Sequence, residues 1–166
     1  AYDPARAIER FLDQLPGQPL DITLVTTPRF QSVADQVKKE WEEIGAQAYE
    51  TCINSGDVKD KAPCENLHIT VNITVTNFPD VSNYQVMLVG QQIPKDPDQY
   101  TLWHSTQNTN FTHYKNPRID ALLENGRKVS DQTERKALYQ EFQQFLLEDA
   151  PAVFMQYLEN YSVKRT

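Results

Sequence analysis

Two cysteines, three histidines and one long polar-aromatic stretch are where this sequence could do chemistry. Cys52 and Cys64 lie twelve positions apart across the polar run from Ile53 to Pro63, which reads as a surface loop. The two thiols either close that loop as a disulfide, worth about 3 kcal/mol in the chain-entropy account, or stand unpaired. Zinc is a poor reading, because neither Cys-x-x-Cys nor His-x-x-x-His spacing is present. His68, His104 and His113 likewise lack metal-ligand spacing, and His68 falls on the wet face of a predicted strand. Asp96 and Asp98 flank Pro97. A calcium loop would need more oxygen ligands in a tight run and a turn glycine, so this pair is read as turn formation and helix capping. Glu148-Asp149, just before Pro151, reads as a helix end. There is no Gly-x-Ser-x-Gly, and five glycines in the whole chain leave neither a phosphate-cradling loop nor a dinucleotide fingerprint. An enzyme would have to be assembled from Asp96, Asp98 and His104 in one pocket. The expectation is therefore a chain without catalysis, cofactor or resident metal. Glycosylation-type triplets begin at Asn72, Asn110 and Asn160; they are short and common, and no function is attached to them.

The stretch from Gly90 to Asn116 remains. It carries Gln91, Gln92, Ile93, Tyr100, Trp103, His104, Asn108 and Asn110. Amides and aromatic rings can stack on a ligand and hydrogen-bond it without full charges, so these eight residues are the candidate ligand-binding set. The competing reading is an irregular loop that packs on its own domain, with Trp103 as a core residue. A loop of this length in a compact domain is usually functional or disordered.

The elements around that stretch set its position. The chain has 166 residues, enough for one domain, with 39% hydrophobic residues to build a core. A net charge of −7 argues against nucleic-acid binding, which needs a positive surface. No apolar run is long enough to span a membrane, and the first residues show no signal-peptide pattern. Asp3-Pro4 predicts a capped helix with Ile8, Phe11, Leu12 and Leu15 inward, stopped by Pro16-Gly17. Leu20 to Val25 predicts a buried strand. A helix follows from Thr27-Pro28, with Val33, Val37, Trp41 and Ile44 inward, ended by Gly45; a second strand is predicted over Ala46 to Tyr49. Together these make a βαβ unit with parallel pairing. His68 to Thr76 alternates polar and apolar residues, the pattern of a half-buried strand. Tyr84 to Val89 predicts a central strand. Two helices are then predicted, one capped by Asn116-Pro117 and one opened by Asp131-Gln132-Thr133-Glu134. A last strand is predicted at Ala152 to Met155, and Tyr161 to Lys164 leaves the domain.

The order of these motifs resembles the C-terminal lobe of family 5 extracellular solute-binding proteins, the dipeptide and oligopeptide-binding type that serves ABC importers. The resemblance begins at Asp3, Pro4 and Ala7 and runs through Ile22-Thr23-Leu24 and Trp41-Glu42-Glu43-Ile44-Gly45. It is strongest in Gly90, Asp96-Pro97, Tyr100, Tyr114-x-Asn116-Pro117-x-x-Asp120-x-Leu122-Leu123, Glu134-Arg135-x-x-Leu138-Tyr139-x-x-Phe142-Gln143 and Glu148-Asp149-Ala150-Pro151. Residues 51–82 fall outside it, and residues 52–66 are read as a surface-loop insertion. The resemblance implies one α/β lobe over residues 1–166, of the type II periplasmic-binding-protein kind, with a mixed sheet flanked by helices. It implies substrate capture without catalysis, shared with an N-terminal lobe that this chain lacks, and delivery to ABC permease subunits. It also implies an extracytoplasmic location, periplasmic or at the cell surface, with the full-length protein lipid- or membrane-anchored. In peptide-binding relatives an aspartate ahead of the Asp-Pro pair holds the peptide's amino terminus. Here Gln91, Gln92, Ile93, Pro94 and Lys95 precede Asp96, so the ligand expected is a neutral one, an oligosaccharide or a blocked peptide. The alternative function is a stand-alone interaction or sensory domain that reuses the lobe.

Overall fold

A computed structural model of the chain describes residues 3–14, 17–55, 62–91, 96 and 98–155. It falls into two compact units, Ala1–Val89 and Gly90–Thr166.

The first unit opens with helix α1 (Pro4–Gln14), capped as predicted: the Asp3 carboxylate accepts from the Arg6 amide at 3.1 Å. Of the predicted stop at Pro16-Gly17, Pro16 lies outside the described residues, as does Leu15, and Gly17 stands in a turn at φ 70°. Ile8, Phe11 and Leu12 pack with Ala48, Cys64 and Leu67 in one small core. Among the described residues, strand β1 (Leu20–Thr26) is the centre of a three-stranded sheet. On one side lies β2 (Ile69–Val75) and on the other β3 (Val86–Leu88). All described pairing is parallel, with Leu20 opposite Ile69 and Leu24 opposite Val86, so over these residues the expected mixed sheet is a parallel one. β3 is three residues long and outermost, where the sequence predicted a central strand. The central place goes to β1, whose Ile22, Leu24 and Thr26 are buried on the face covered by Ala34, Val37 and Trp41. Below β3 a side chain continues the ladder. The Gln85 amide accepts from Thr23 N at 2.7 Å and donates to Asp21 O at 3.1 Å, as a peptide group would.

After a short 3-10 turn (Pro28–Phe30), helix α2 runs unbroken over Gln31–Asn54. Gly45 therefore does not end it, and Ala46 to Tyr49 is helix rather than the predicted strand. Two alanines in that tetrapeptide favour helix. Gly45 is there for a different reason: a Cβ at this position would stand 2.5 Å from the backbone nitrogen of Ile69. The helix lies against β2 at backbone distance, and only glycine fits. The βαβ unit is real, but its returning strand is β2. Gly45→Ala is expected to destabilise the chain by about 1–3 kcal/mol through overpacking, despite alanine's better helix propensity. A urea melt that finds the variant as stable as the parent would refute the close approach.

Cys52, near the end of α2, is bonded to Cys64 in the single-turn helix α3 (Ala62–Glu65), with S–S 2.02 Å and Cα–Cα 5.7 Å. Of the two readings left open by the spacing, the structure has the disulfide. Cys64 and Leu67 are buried, so the far end of the expected surface loop is anchored in the core.

The second unit is helical over its described residues: α4 (Tyr100–Trp103), α5 (Pro117–Lys128) and α6 (Gln132–Asp149). Both predicted caps form. Asn116 Oδ1 accepts from Arg118 N at 3.0 Å, and Asp131 Oδ1 accepts from Glu134 N at 2.9 Å. The core is Trp103, Ile119, Leu122, Leu123, Tyr139, Phe142 and Leu146. Ala150 ends α6 in the left-handed region at φ 46°. Residues 152–155 are not a strand. Among the described residues this unit has no strand for them to pair with, and Val153, Phe154 and Met155 stand exposed. Tyr161 to Lys164 lies outside the described residues.

Candidate functional site

The eight candidate residues part into three groups. Gln91 and Asn108 are exposed, and Tyr100 is half-buried. Gln92 and Ile93 lie outside the described residues. Trp103, His104 and Asn110 are only 5%, 5% and 4% exposed. They are shielded from solvent in this chain.

What the buried three do is visible in their partners. Trp103 belongs to the helical core and lies 6.1 Å from the Phe154 ring. The Asn110 amide donates to Tyr114 O at 2.8 Å, and its oxygen accepts from the Thr112 hydroxyl at 2.8 Å. It satisfies groups of its own loop that burial would otherwise leave unpaired. His104 accepts at Nδ1 from Thr106 N at 3.2 Å, which puts the ring proton on Nε2, 3.4 Å from Glu124 Oε1. Beside it, Asp120 in the first turn of α5 accepts from Ser105 N at 2.8 Å and from the Ser105 hydroxyl at 2.5 Å. This ties the turn after α4 to the start of α5.

Asp96 and Asp98 form turns, as predicted. Asp98 N donates to Asp96 Oδ1 at 2.9 Å, and Tyr100 N donates to Asp98 Oδ1 at 3.0 Å. Their remaining capacity goes to two arginines that the sequence reading missed. Arg135 meets Asp96 at 2.8 Å and donates to Gly126 O at 3.0 Å. Arg127 meets Asp98 at 2.7 Å and lies 3.8 Å above the Tyr100 ring, which in turn stacks on His104 at 4.2 Å. Burial pushes the Asp98 carboxyl up, but the Arg127 guanidinium and the Tyr100 amide outweigh it and leave it below its ordinary value. Asp96, Asp98 and His104 are thus each engaged by a different partner and do not converge on a pocket. Farther along, the Tyr114 hydroxyl donates to Asp149, which also accepts from Asn116 Nδ2 at 3.0 Å. Burial, then the Asp149 carboxylate, raises the Tyr114 phenol above its ordinary range. Two donors offset a negative charge at the end of α6, where the helix dipole disfavours one.

Among the described residues no group of three or more His, Cys, Asp or Glu is placed to hold a metal ion. No described helix is long and apolar enough to cross a membrane. What the described candidates offer is two exposed amides, Gln91 and Asn108, and a half-buried Tyr100 ring held between Arg127 and His104.

No family model matches the chain. An 82-residue stretch is 30% identical to the oligopeptide-binding protein AppA of Bacillus subtilis, covering 48% of this chain and 15% of that one. Among solved structures, NikZ of Campylobacter jejuni, in complex with Ni(L-His), superposes with a TM-score of 0.67 at 22% identity. That match covers 90% of this chain and 31% of NikZ. The periplasmic binding protein DppA of Helicobacter pylori, in complex with the peptide STSA, gives 0.60 at 25% identity, over 90% of this chain and 28% of DppA. The fold is that of type II periplasmic binding proteins. AppA and DppA are binding proteins, and the chain spans less than a third of the length of either structure.

Proposed function

We propose that this chain captures solute for an ABC importer as one lobe of an extracytoplasmic binding protein. The observation that carries the reading is the coverage: nine-tenths of the chain superposes on less than a third of NikZ or DppA. The polypeptide has the size of a lobe, and in binding proteins of this kind two lobes close on the solute by a hinge. The Cys52–Cys64 disulfide supports an oxidising location, periplasmic or at the cell surface. The partners in this reading are a second lobe, which completes the cleft, and ABC permease subunits; the domain boundary is that of one lobe over residues 1–166. Its chemistry is retention and release, without a covalent step.

The residues assigned to ligand binding in this reading are Gln91, Tyr100 and Asn108, together with Gln92 and Ile93, which lie outside the described residues. Trp103, His104 and Asn110 act as positioning residues, because they are shielded from solvent in this chain. The acidic side chains of this segment, Asp96 and Asp98, already pair with Arg135 and Arg127, which competes with pairing to a ligand ammonium. This favours an uncharged solute: a blocked peptide or an oligosaccharide.

Half a cleft buries too little of a ligand for tight binding. Thermal melts of the 166-residue chain with peptides and oligosaccharides are therefore expected to move Tm by no more than about 1 °C. A ligand held at a hundred times its Kd adds about 2.7 kcal/mol, which is roughly 5–10 °C for a chain of this size. A shift of that order on the chain alone would overturn the one-lobe reading. The same shift only after a second lobe is joined would support it.

A further inference from the structure

We propose that Lys38 and Glu42 guard the outer edge of β2 against pairing with the β2 strand of a second copy of this chain. Among the described residues β2 is an outermost strand, in the order β2-β1-β3. In a parallel strand successive residues turn their backbone groups to alternate sides. Thr76 N donates to Thr26 O and His68 O accepts from Leu20 N, so the even-numbered residues address β1. Val71 accordingly turns its N–H and C=O outward, at the middle of the edge. Helix α2 takes both. Val71 N donates to Glu42 Oε1 at 3.0 Å, Lys38 Nζ donates to Val71 O at 2.6 Å, and the two side chains join each other at 2.5 Å. An ion pair occupies the place where a neighbouring strand's peptide group would bind.

What needs guarding is written in the strand. From His68 to Thr76 there is no acidic residue, no lysine or arginine, no proline and no glycine, and β-branched residues fill seven of the nine positions. Segments of this composition stack readily with copies of themselves, and an outer strand of this kind is a ready template. With no charge along it, nothing electrostatic opposes the approach of an identical strand, which is why the partner is a second copy. Lys38 and Glu42 are themselves 39% and 34% exposed, and an exposed ion pair adds little to stability. Their loss is to be read in association rather than in unfolding.

The test is sedimentation of the full chain against concentration. The parent is expected to sediment at its monomer mass of 19.2 kDa. The variant Lys38→Met with Glu42→Leu, which preserves helix propensity and bulk, is expected to self-associate about tenfold more tightly or better. Adding Asn72→Lys and Thr74→Lys, both on exposed positions of β2, is expected to return that variant to monomer, because like charges would then face each other across the new pairing. A blocked peptide of residues 68–76 should bind the double variant and not the parent. If circular dichroism shows the double variant unfolded, Glu42→Gln takes its place, with the same expectations at smaller amplitude. A folded variant that stays monomeric and ignores the peptide overturns the proposal. So does self-association that the added lysines leave unchanged. Neither result bears on solute capture, which the thermal melts test separately.

Discussion

Trp103→Ala is expected to cost about 3–5 kcal/mol of folding stability, with no ligand in the tube. Trp103 is 5% exposed and sits with Ile119, Leu122, Leu123 and Phe142 in the core of the helical unit. Removing the indole leaves a cavity that the four neighbouring side chains of α5 and α6 cannot collapse to fill, so the cost exceeds simple transfer of the lost atoms. A tryptophan used to stack on a solute would instead be exposed when the cleft is empty, and its removal would change stability by less than about 0.5 kcal/mol. Urea denaturation followed by circular dichroism separates the two. A midpoint close to the parent's would return Trp103 to the ligand-binding set.

Opening the Cys52–Cys64 bridge is expected to cost about 3 kcal/mol, the loop-closure entropy for a short ring. The bond joins the last turn of α2 to α3 and leaves Cys64 fully buried beside Ala48, Leu67 and Phe11. Once it is open, the thirteen-residue span from Cys52 to Cys64 regains freedom in the unfolded chain. Two measurements bear on it: the mass of the unreduced protein after thiol alkylation, and its urea midpoint with and without reductant. Equal midpoints would show that the bond contributes nothing. Replacing both cysteines by alanine should reproduce the reduced midpoint, less a small further loss for the lost sulfur packing at position 64.

Local signals in the sequence were enough to place several elements. Asn116 and Asp131 cap α5 and α6 as read, because a cap depends on residues within one turn. The strand over β1 followed from a short run rich in branched residues, and the strand over β2 from its alternation of polar and apolar residues. Gly45 was misread because a glycine that stops a helix and a glycine that lets a helix touch a strand look the same in sequence; what distinguishes them is Ile69, far along the chain. The Ala152 to Met155 strand failed because β-propensity needs a neighbour, and the second unit offers none among its described residues. The candidate site was half legible. Asn110 and His104 are residue types suited to binding a solute, and for that reason equally suited to satisfying buried groups of their own loop. Arg127 and Arg135 gave no sign of their aspartate partners, since those meet them only through the folding of the segment back onto α5 and α6.

The amide of Gln85 standing in for a peptide group has a consequence for how this chain can lengthen. The central strand has partners at Thr23 and Asp21 before the main chain has joined the sheet. Before that point, Asp80 holds a local turn with Ser82 and Asn83. Extra residues spliced between Phe78 and Tyr84 would therefore leave the ladder intact and cost little beyond ring closure, about 0.6 kcal/mol for each doubling of the span. That makes this bend the natural graft point for a tag or a reporter, provided the glutamine is retained.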